Sequence, residues 1–413
     1  MKKVINFLEK VNYWTIVFLP LAVGIAQGVG NSVAGIMIGS FLILKILKKE
    51  KIFTLSLPIA LFGLFMLTSL VSFYNSSNLH DSIKGMLKLL KFLMIMVVCS
   101  ESIKDKKHFE RIALGIGCAV CLLGFDALWQ RVVGWDFIRR MPLQYAIGLP
   151  RVTASLPGCN GLGVYLTALT PIVSGLAIFL SGLRRRIFFL LAAGLGSIGV
   201  YLTFSRGAGL GLFVAILFLS LVKKNKILTS ILIALLIIFP FLMPKNIKDW
   251  AKSVKYNPII MLTNEDRIGI YLNVINMIKH HPFAGIGINT FCRSYNNYRV
   301  PEVEKIFPTN TSLYAHNNFL HMAAEVGLLG LGVFLVFLVS VFRAFWFSYK
   351  KNPEPFLKAL SISLFAALLA YLINGLTETS LYYSRIVMVF WLIVGIGLAL
   401  KKDTQTNSFN NAQ

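Results

Sequence analysis

The sequence predicts an all-α polytopic membrane protein with about twelve transmembrane helices. Three observations carry this. Of 413 residues, 56% are hydrophobic and 14% charged, with a mean hydropathy of +0.71; a soluble chain of this length needs far more polar surface. Apolar runs long enough to cross about 30 Å of hydrocarbon recur along the chain. Lysines and arginines gather at every second connection between those runs, as the positive-inside rule requires of cytoplasmic loops.

The runs cover 12–30, 33–47, 53–73, 85–100, 111–129, 160–180, 187–204, 207–222, 227–243, 319–347, 357–375 and 384–400. The first follows Met1-Lys2-Lys3 and lacks a small-x-small cleavage pattern, so it is a retained span. The shorter runs imply tilt or support from neighbours. Basic clusters lie around Lys10, Lys48, Lys106, Arg185, Lys224, Lys350 and Lys401. Their alternation puts both termini in the cytoplasm. The whole chain, 1–413, forms one integral membrane domain without an internal repeat, and the polar stretch 403–413 is expected to be a disordered cytoplasmic tail.

The remaining connections are then external. Residues 31–32, 74–84 and 376–383 are short, 130–159 is intermediate, and 244–318, between the ninth and tenth spans, is long. Within the long loop, Thr263-Asn264-Glu265-Asp266 has the pattern of a helix start, and Pro282 closes the segment. Ile268, Leu272, Ile275 and Ile278 follow at helical spacing, predicting an amphipathic helix over 264–281 on or near the membrane surface. Gly285-Ile286-Gly287 makes a turn after it.

The net charge is +24. In a soluble protein this would suggest nucleic acid, but cytoplasmic clustering accounts for a little over half of the basic residues, and no nucleic-acid partner is implied. The rest lie on the external side. Lys84, Lys88 and Lys91 are spaced i, i+4, i+7 on one helix face, and Arg131, Arg139, Arg140 and Arg151 occupy the 130–159 loop. This placement points to an anion at the outer leaflet, of which a lipid diphosphate is one form and a lipid headgroup another.

Arg206 stands in Phe204-Ser205-Arg206-Gly207 between two spans, and Arg267 in the first turn of the loop helix. Each fits a phosphate ligand, because a guanidinium forks onto two oxygens and stays charged. Each also fits a structural role, Arg206 as a snorkelling anchor and Arg267 as partner of Glu265 or Asp266. His316, at the mouth of the tenth span, suits acid–base chemistry or a helix cap. His321 and Glu325 lie i, i+4 on one face, which a hydrogen bond between them explains. Asp126 and Glu378 are acids near external span ends, with a functional role or an arginine partner both open.

Cys118-x-x-Cys121 lies inside an apolar span, where a metal or redox centre would lack ligands and access. Cys159 and Cys292 are both external, and their pairing is open. The external acids Asp249, Glu265, Asp266, Glu302 and Glu304 have no metal-ligand spacing, and neither Asp-x-Asp nor His-x-x-x-His occurs outside. A metal-free mechanism without cofactor is expected.

His316-Asn317, nine residues, then Gly327-Leu328-Leu329-Gly330 resembles the His-[Asn/Ser/Gln]-x9-Gly-x-x-Gly signature of bacterial O-antigen ligases. Ser205-Arg206-Gly207-Ala208 resembles that superfamily's arginine turn, and Arg267 to Phe291, with His281-Pro282-Phe283-Ala284-Gly285-Ile286-Gly287, resembles its loop-helix block. The specific likeness covers about 200–330. It implies a GT-C-like integral membrane glycosyltransferase of the bacterial inner membrane. Its members move a glycan from undecaprenyl diphosphate to lipid A–core at the periplasmic face, with inversion. By position, His316 would be the general base, and Arg206 and Arg267 would hold the diphosphate. From their place on the external side, not from the resemblance, Asn317, Lys84, Lys88, Lys91, Arg131, Arg139 and Arg140 are expected to contact substrate. The same superfamily holds O-antigen polymerases, which often carry Arg-x10-Gly externally. Here that spacing occurs from Arg185 to Gly196, with Arg185 on the cytoplasmic side. A polysaccharide transporter is the alternative outside enzymes, but it commonly shows repeated halves, which are not in view.

Overall fold

The computed structural model describes residues 1–146, 148–242, 245–263, 265–307 and 314–410. It is 79% helical, and a helix stands at each of the twelve expected positions. These are α1 (Lys2–Ile25), α2 (Gln27–Lys48), α3 (Leu57–Val71), α4 (Leu79–Ser102), α5 (Lys106–Val133), α6 (Cys159–Phe179), α7 (Leu183–Leu202), α8 (Arg206–Val222) and α9 (Lys226–Leu242). After the long loop, with α10 (Lys245–Ser253), α11 (Pro258–Thr263), α12 (Glu265–His280), α13 (Phe291–Ser294) and α14 (Pro301–Ile306), come α15 (Asn318–Lys351), α16 (Pro355–Asn374) and α17 (Val387–Asn410). Among the described residues, eight helices are long and apolar enough to cross a membrane. Two further apolar helices are shorter, Arg206–Val222 and Lys226–Ile238. The 130–159 connection carries a two-stranded antiparallel hairpin, β1 (Gln144–Ala146) with β2 (Leu149–Arg151).

Local chemistry sets many of the ends. Asn78 accepts from Asp81 N at 3.0 Å to start α4, and Asp105 accepts from His108 N at 2.8 Å to start α5. Glu354 caps α16, with Pro355 in the first turn where its missing N–H is not needed. The turn between α1 and α2 falls at Ala26, whose backbone is extended, and not at the expected 31–32. Residues 403–410 are helical where 403–413 was expected to be a disordered tail, and 411–413 lie outside the described residues. Asn352 Nδ2 donates to Asp403 Oδ2 at 3.2 Å and to Thr404 Oγ1 at 2.9 Å, which satisfies polar groups that would otherwise favour water.

α6 and α16 form the packed centre, flanked by α7, α8 and α17, whereas α9 leans mainly on α8 and exposes Ile231, Ile233, Leu235 and Leu236. Exposed apolar faces of this size suit lipid. Small residues let the central helices approach: a Cβ on Gly211 would come within 2.6 Å of Ala370 O. Polar side chains add bonds between helices, as Thr167 Oγ1 does to Ala208 O at 3.2 Å.

The basic clusters sit at one end of the bundle, tied by ion pairs. Lys48 meets Glu9 at 2.5 Å, Arg185 meets Glu110 at 2.8 Å, and Lys402 pairs with Glu101. At the other end Arg385, 3% exposed, donates to the carbonyls of Val23, Gly24 and Ser155, joining the end of α1 to the hairpin loop and the approach to α17. All five cysteines are free, Cys159 and Cys292 included.

α15 is broken at Gly327, whose φ of 72° and ψ of 175° are not helical. The turn after α12 fills the break: Leu328 N donates to Pro282 O at 2.7 Å, Ile286 N to Ala324 O at 2.9 Å and Gly287 N to Glu325 O at 3.0 Å. A Cβ on Gly327 would stand 2.0 Å from Phe283 O, which explains the first glycine of the Gly-x-x-Gly pair. Gly327→Ala is therefore expected to destabilise the fold by on the order of 3 kcal/mol, from the positive φ and the clash together. A thermal unfolding midpoint unchanged from wild type would contradict it.

Candidate active site

His316 and Asn317 stand where the loop enters α15. Asn317 Oδ1 accepts from Phe319 N at 2.9 Å and Leu320 N at 3.0 Å, and its Nδ2 donates to Leu376 O at 3.0 Å. The side chain expected to touch substrate is thus engaged as a helix cap and as a tie to the loop after α16. His316 just before it has φ of 50°, a left-handed backbone unusual for histidine. Tyr271 Oη holds that backbone by donating to His316 O at 3.0 Å. Burial pushes the Tyr271 hydroxyl up to about 12, so it stays a donor. The His316 ring, 30% exposed, turns Nδ1 to within 3.6 Å of Glu378 Oε2.

Glu378 is the hub. Its residue is 1% exposed. Oε1 accepts from Arg267 Nη2 at 2.6 Å and from Asn160 Nδ2 at 2.6 Å; Oε2 accepts from Tyr383 Oη at 2.8 Å. Burial alone would raise this carboxyl, but His316, Arg267 and the Tyr383 hydroxyl together outweigh it and hold it down at about 2. It is an anion at neutral pH, facing one nitrogen of the histidine.

Guanidiniums converge on this carboxylate. Arg267 pairs with Glu378 and the carbonyl of Thr377, not with Glu265 or Asp266. Arg151 Nη2 donates to Asn160 Oδ1 at 2.8 Å and its Nε to Thr203 O at 2.7 Å. Arg206 opens α8 and donates from Nη1 to Met261 O at 2.5 Å, close enough to Arg151 and Arg267 for their charges to act on it. Gly207 lets that turn seat on Thr377, whose Oγ1 a Cβ would meet at 2.0 Å.

α12 brings Arg267 and Tyr271 to the site from the same face. Its packed residues are Ile270, Val274 and Met277, joined by buried Asn273, while Leu272 and Ile275 are exposed. The helix exists as expected, but it packs by a different face from the 268/272/275/278 stripe. Asn273 decides this: its Nδ2 donates to Tyr295 Oη at 3.1 Å and Glu304 Oε1 at 2.8 Å, and it accepts from Val300 N at 2.9 Å. Of the expected loop, positions 244, 264 and 308–313 lie outside the described residues.

The other expected contacts do not gather here. Lys88 Nζ donates to Asn289 Oδ1 at 2.7 Å, Lys91 Nζ reaches Asn31 Oδ1 at 3.5 Å and Lys84 is exposed. Arg139 Nη1 donates to Ser155 O at 3.3 Å, Arg140 stacks over Trp135 at 5.7 Å and Arg131 is exposed at the end of α5. None of the six bonds to His316, Arg206, Arg267 or Glu378 among the described residues. Among the described residues, too, no group of three His, Cys, Asp or Glu could hold a metal ion.

An all-helical membrane protein with a histidine, a buried carboxylate and three arginines at one end of its bundle is the class that fold and site define. Residues 187–335 match the family model described as O-antigen ligase, so this segment of the chain is similar to that family. No curated protein matches it. The matched segment holds Arg206, Arg267 and His316, whereas Arg151, Asn160, Glu378 and Tyr383 complete the site from outside it.

Proposed function

We infer that the protein is an O-antigen ligase of the bacterial inner membrane. It moves a glycan from undecaprenyl diphosphate to a sugar of lipid A–core at the periplasmic face, in lipopolysaccharide biosynthesis. The observation that carries the reading is His316 set against Glu378, with Arg267 bonded to the same carboxylate. With Nδ1 turned to Glu378, Nε2 is the ring nitrogen for the acceptor. It removes the hydroxyl proton as the oxygen attacks the anomeric carbon. The carbon–oxygen bond to the diphosphate breaks with inversion, and the leaving group keeps the electron pair. Glu378 stabilises the imidazolium that forms, and Arg206 and Arg267 face the charge developing on the diphosphate. We take the twelve helices as twelve spans of a GT-C-like fold with both termini cytoplasmic, which matches the basic clusters at the end remote from His316.

A polymerase of the same family would use the same groups. Arg185, which begins the Arg-x10-Gly spacing, pairs with Glu110 at the basic end of the bundle, far along the chain's fold from His316, and this favours a ligase. The test is reconstitution with an undecaprenyl-diphosphate glycan, with and without lipid A–core, in the presence and absence of EDTA. Glycan transferred only to lipid A–core, at equal rates in both buffers, is expected. Lengthening of the lipid-linked glycan without that acceptor makes it a polymerase. Loss in EDTA restored by one divalent ion contradicts the metal-independent mechanism.

A further inference from the structure

A cavity of about 200 Å³ opens beside the His316 cluster. Its lining combines rings with polar groups: Phe92, Tyr382 and Trp391 with Lys88, His321 and Glu325. The reaction outlined above uses none of these. Glu325 is 1% exposed. Its Oε1 accepts from Phe291 N at 3.1 Å and lies 3.4 Å from His321 Nε2. Ala315 N donates to His321 Nδ1 at 3.3 Å, which leaves the ring hydrogen on Nε2, the nitrogen 3.4 Å from that Oε1. Oε2 has no hydrogen-bond partner among the described residues.

A buried carboxylate oxygen calls for a donor, since buried polar atoms are almost always paired. A hydrocarbon tail cannot supply one; a sugar hydroxyl can. Rings that suit the apolar face of a sugar line the cavity, Tyr382 and Trp391, with Phe92 packed beside Trp391 at a centroid distance of 6.0 Å. The Lys88 ammonium, oriented by Asn289 Oδ1 at 2.7 Å, adds a donor for further oxygens. The cavity is one ring from the catalytic cluster: Tyr314 lies 5.9 Å from His321 and 5.6 Å from Tyr383, which bonds Glu378.

We propose that this cavity is a saccharide subsite for the sugar unit next to the reacting one. Glu325 accepts from one of its hydroxyls, and Trp391 and Tyr382 cover its apolar face. The position beside a reacting sugar rests on the function inferred above. The unit comes from either the donor glycan or the acceptor glycan.

Glu325→Gln keeps the acceptor for Phe291 N and removes the carboxylate. In reconstituted full-length protein, the KM for one of the two substrates is expected to rise about ten-fold, with kcat within two-fold and the unfolding midpoint unchanged. The substrate whose KM rises is the source of the sugar. A fall in kcat or in the midpoint with both KM values unchanged assigns Glu325 a structural role and overturns the proposal. Should Glu325→Gln fail to insert, Lys88→Gln is expected to raise the same KM, and no change would overturn it.

A second arm needs no turnover. Tryptophan fluorescence of the resting protein is titrated with N-acetylglucosamine and, separately, with farnesol. A saturable response to the sugar is expected, at least five-fold weaker in Glu325→Gln and absent in Trp391→Phe. A response to farnesol alone makes the cavity a hydrocarbon groove and overturns the proposal, as does no response to sugar. If the wild type transfers no glycan while the sugar still binds, the ligase reading fails and the subsite stands.

Discussion

His316→Ala is expected to lower the rate of glycan transfer by about three orders of magnitude, the scale of a lost general base, in protein that still inserts and folds. The backbone at this position has φ of 50°, so alanine adds strain of its own, on the order of 1 kcal/mol. His316→Asn separates the two effects, because asparagine tolerates the left-handed region. Both variants should be equally inactive. The asparagine variant should keep the wild-type unfolding midpoint and the cap at Asn317. A rate in His316→Asn above one tenth of wild type would remove histidine from the chemistry and leave it as a turn residue.

Glu378→Gln is expected to cost both activity and stability. The carboxylate carries the His316 contact, the Arg267 ion pair and the bonds from Asn160 and Tyr383. Glutamine turns an amide hydrogen toward some of these donors and leaves the partly buried Arg267 without its counter-charge. Breaking one partner of such a pair costs about 3 kcal/mol. The pH dependence provides an independent reading. The folded carboxyl is held at about 2, below its usual range near 4.3, so the unfolded chain binds more protons between those values. The stabilisation is therefore full above about pH 4.3 and is lost as pH falls through about 2. The difference in stability between wild type and Glu378→Gln should shrink across that window. A difference constant from pH 6 to pH 2 would mean that Glu378 is not the anion described here. A variant with wild-type transfer rates would show that His316 works without it.

Much of this arrangement was legible before the fold was known. The helices follow from hydropathy and basic clusters, because lipid leaves a backbone few other options. His316, Arg206 and Arg267 stand out because charged and titratable groups are rare among apolar runs. Asn317 was legible as a polar residue at a helix start, but not as its cap. Its two bonds to Phe319 N and Leu320 N depend on the loop conformation. The lysines of α4 showed a regular spacing that the fold does not direct at His316, since Lys88 bonds Asn289 and Lys91 approaches Asn31.

The sequence by itself determined the class of protein, the positions of its long helices, and three of the side chains that meet at the candidate site. Those properties are local, set by the composition of single segments. Only the tertiary structure decided that Glu378 organises the site, with Asn160 reaching it across 218 residues and Arg267 across 111. It also decided that Gly327 breaks α15 to receive the turn at Phe283. Contacts between segments so far apart have no spacing in the chain to reveal them. They arise when α6, α8, α12, α15 and the loop after α16 meet at one end of the bundle, where a buried carboxylate must find its partners.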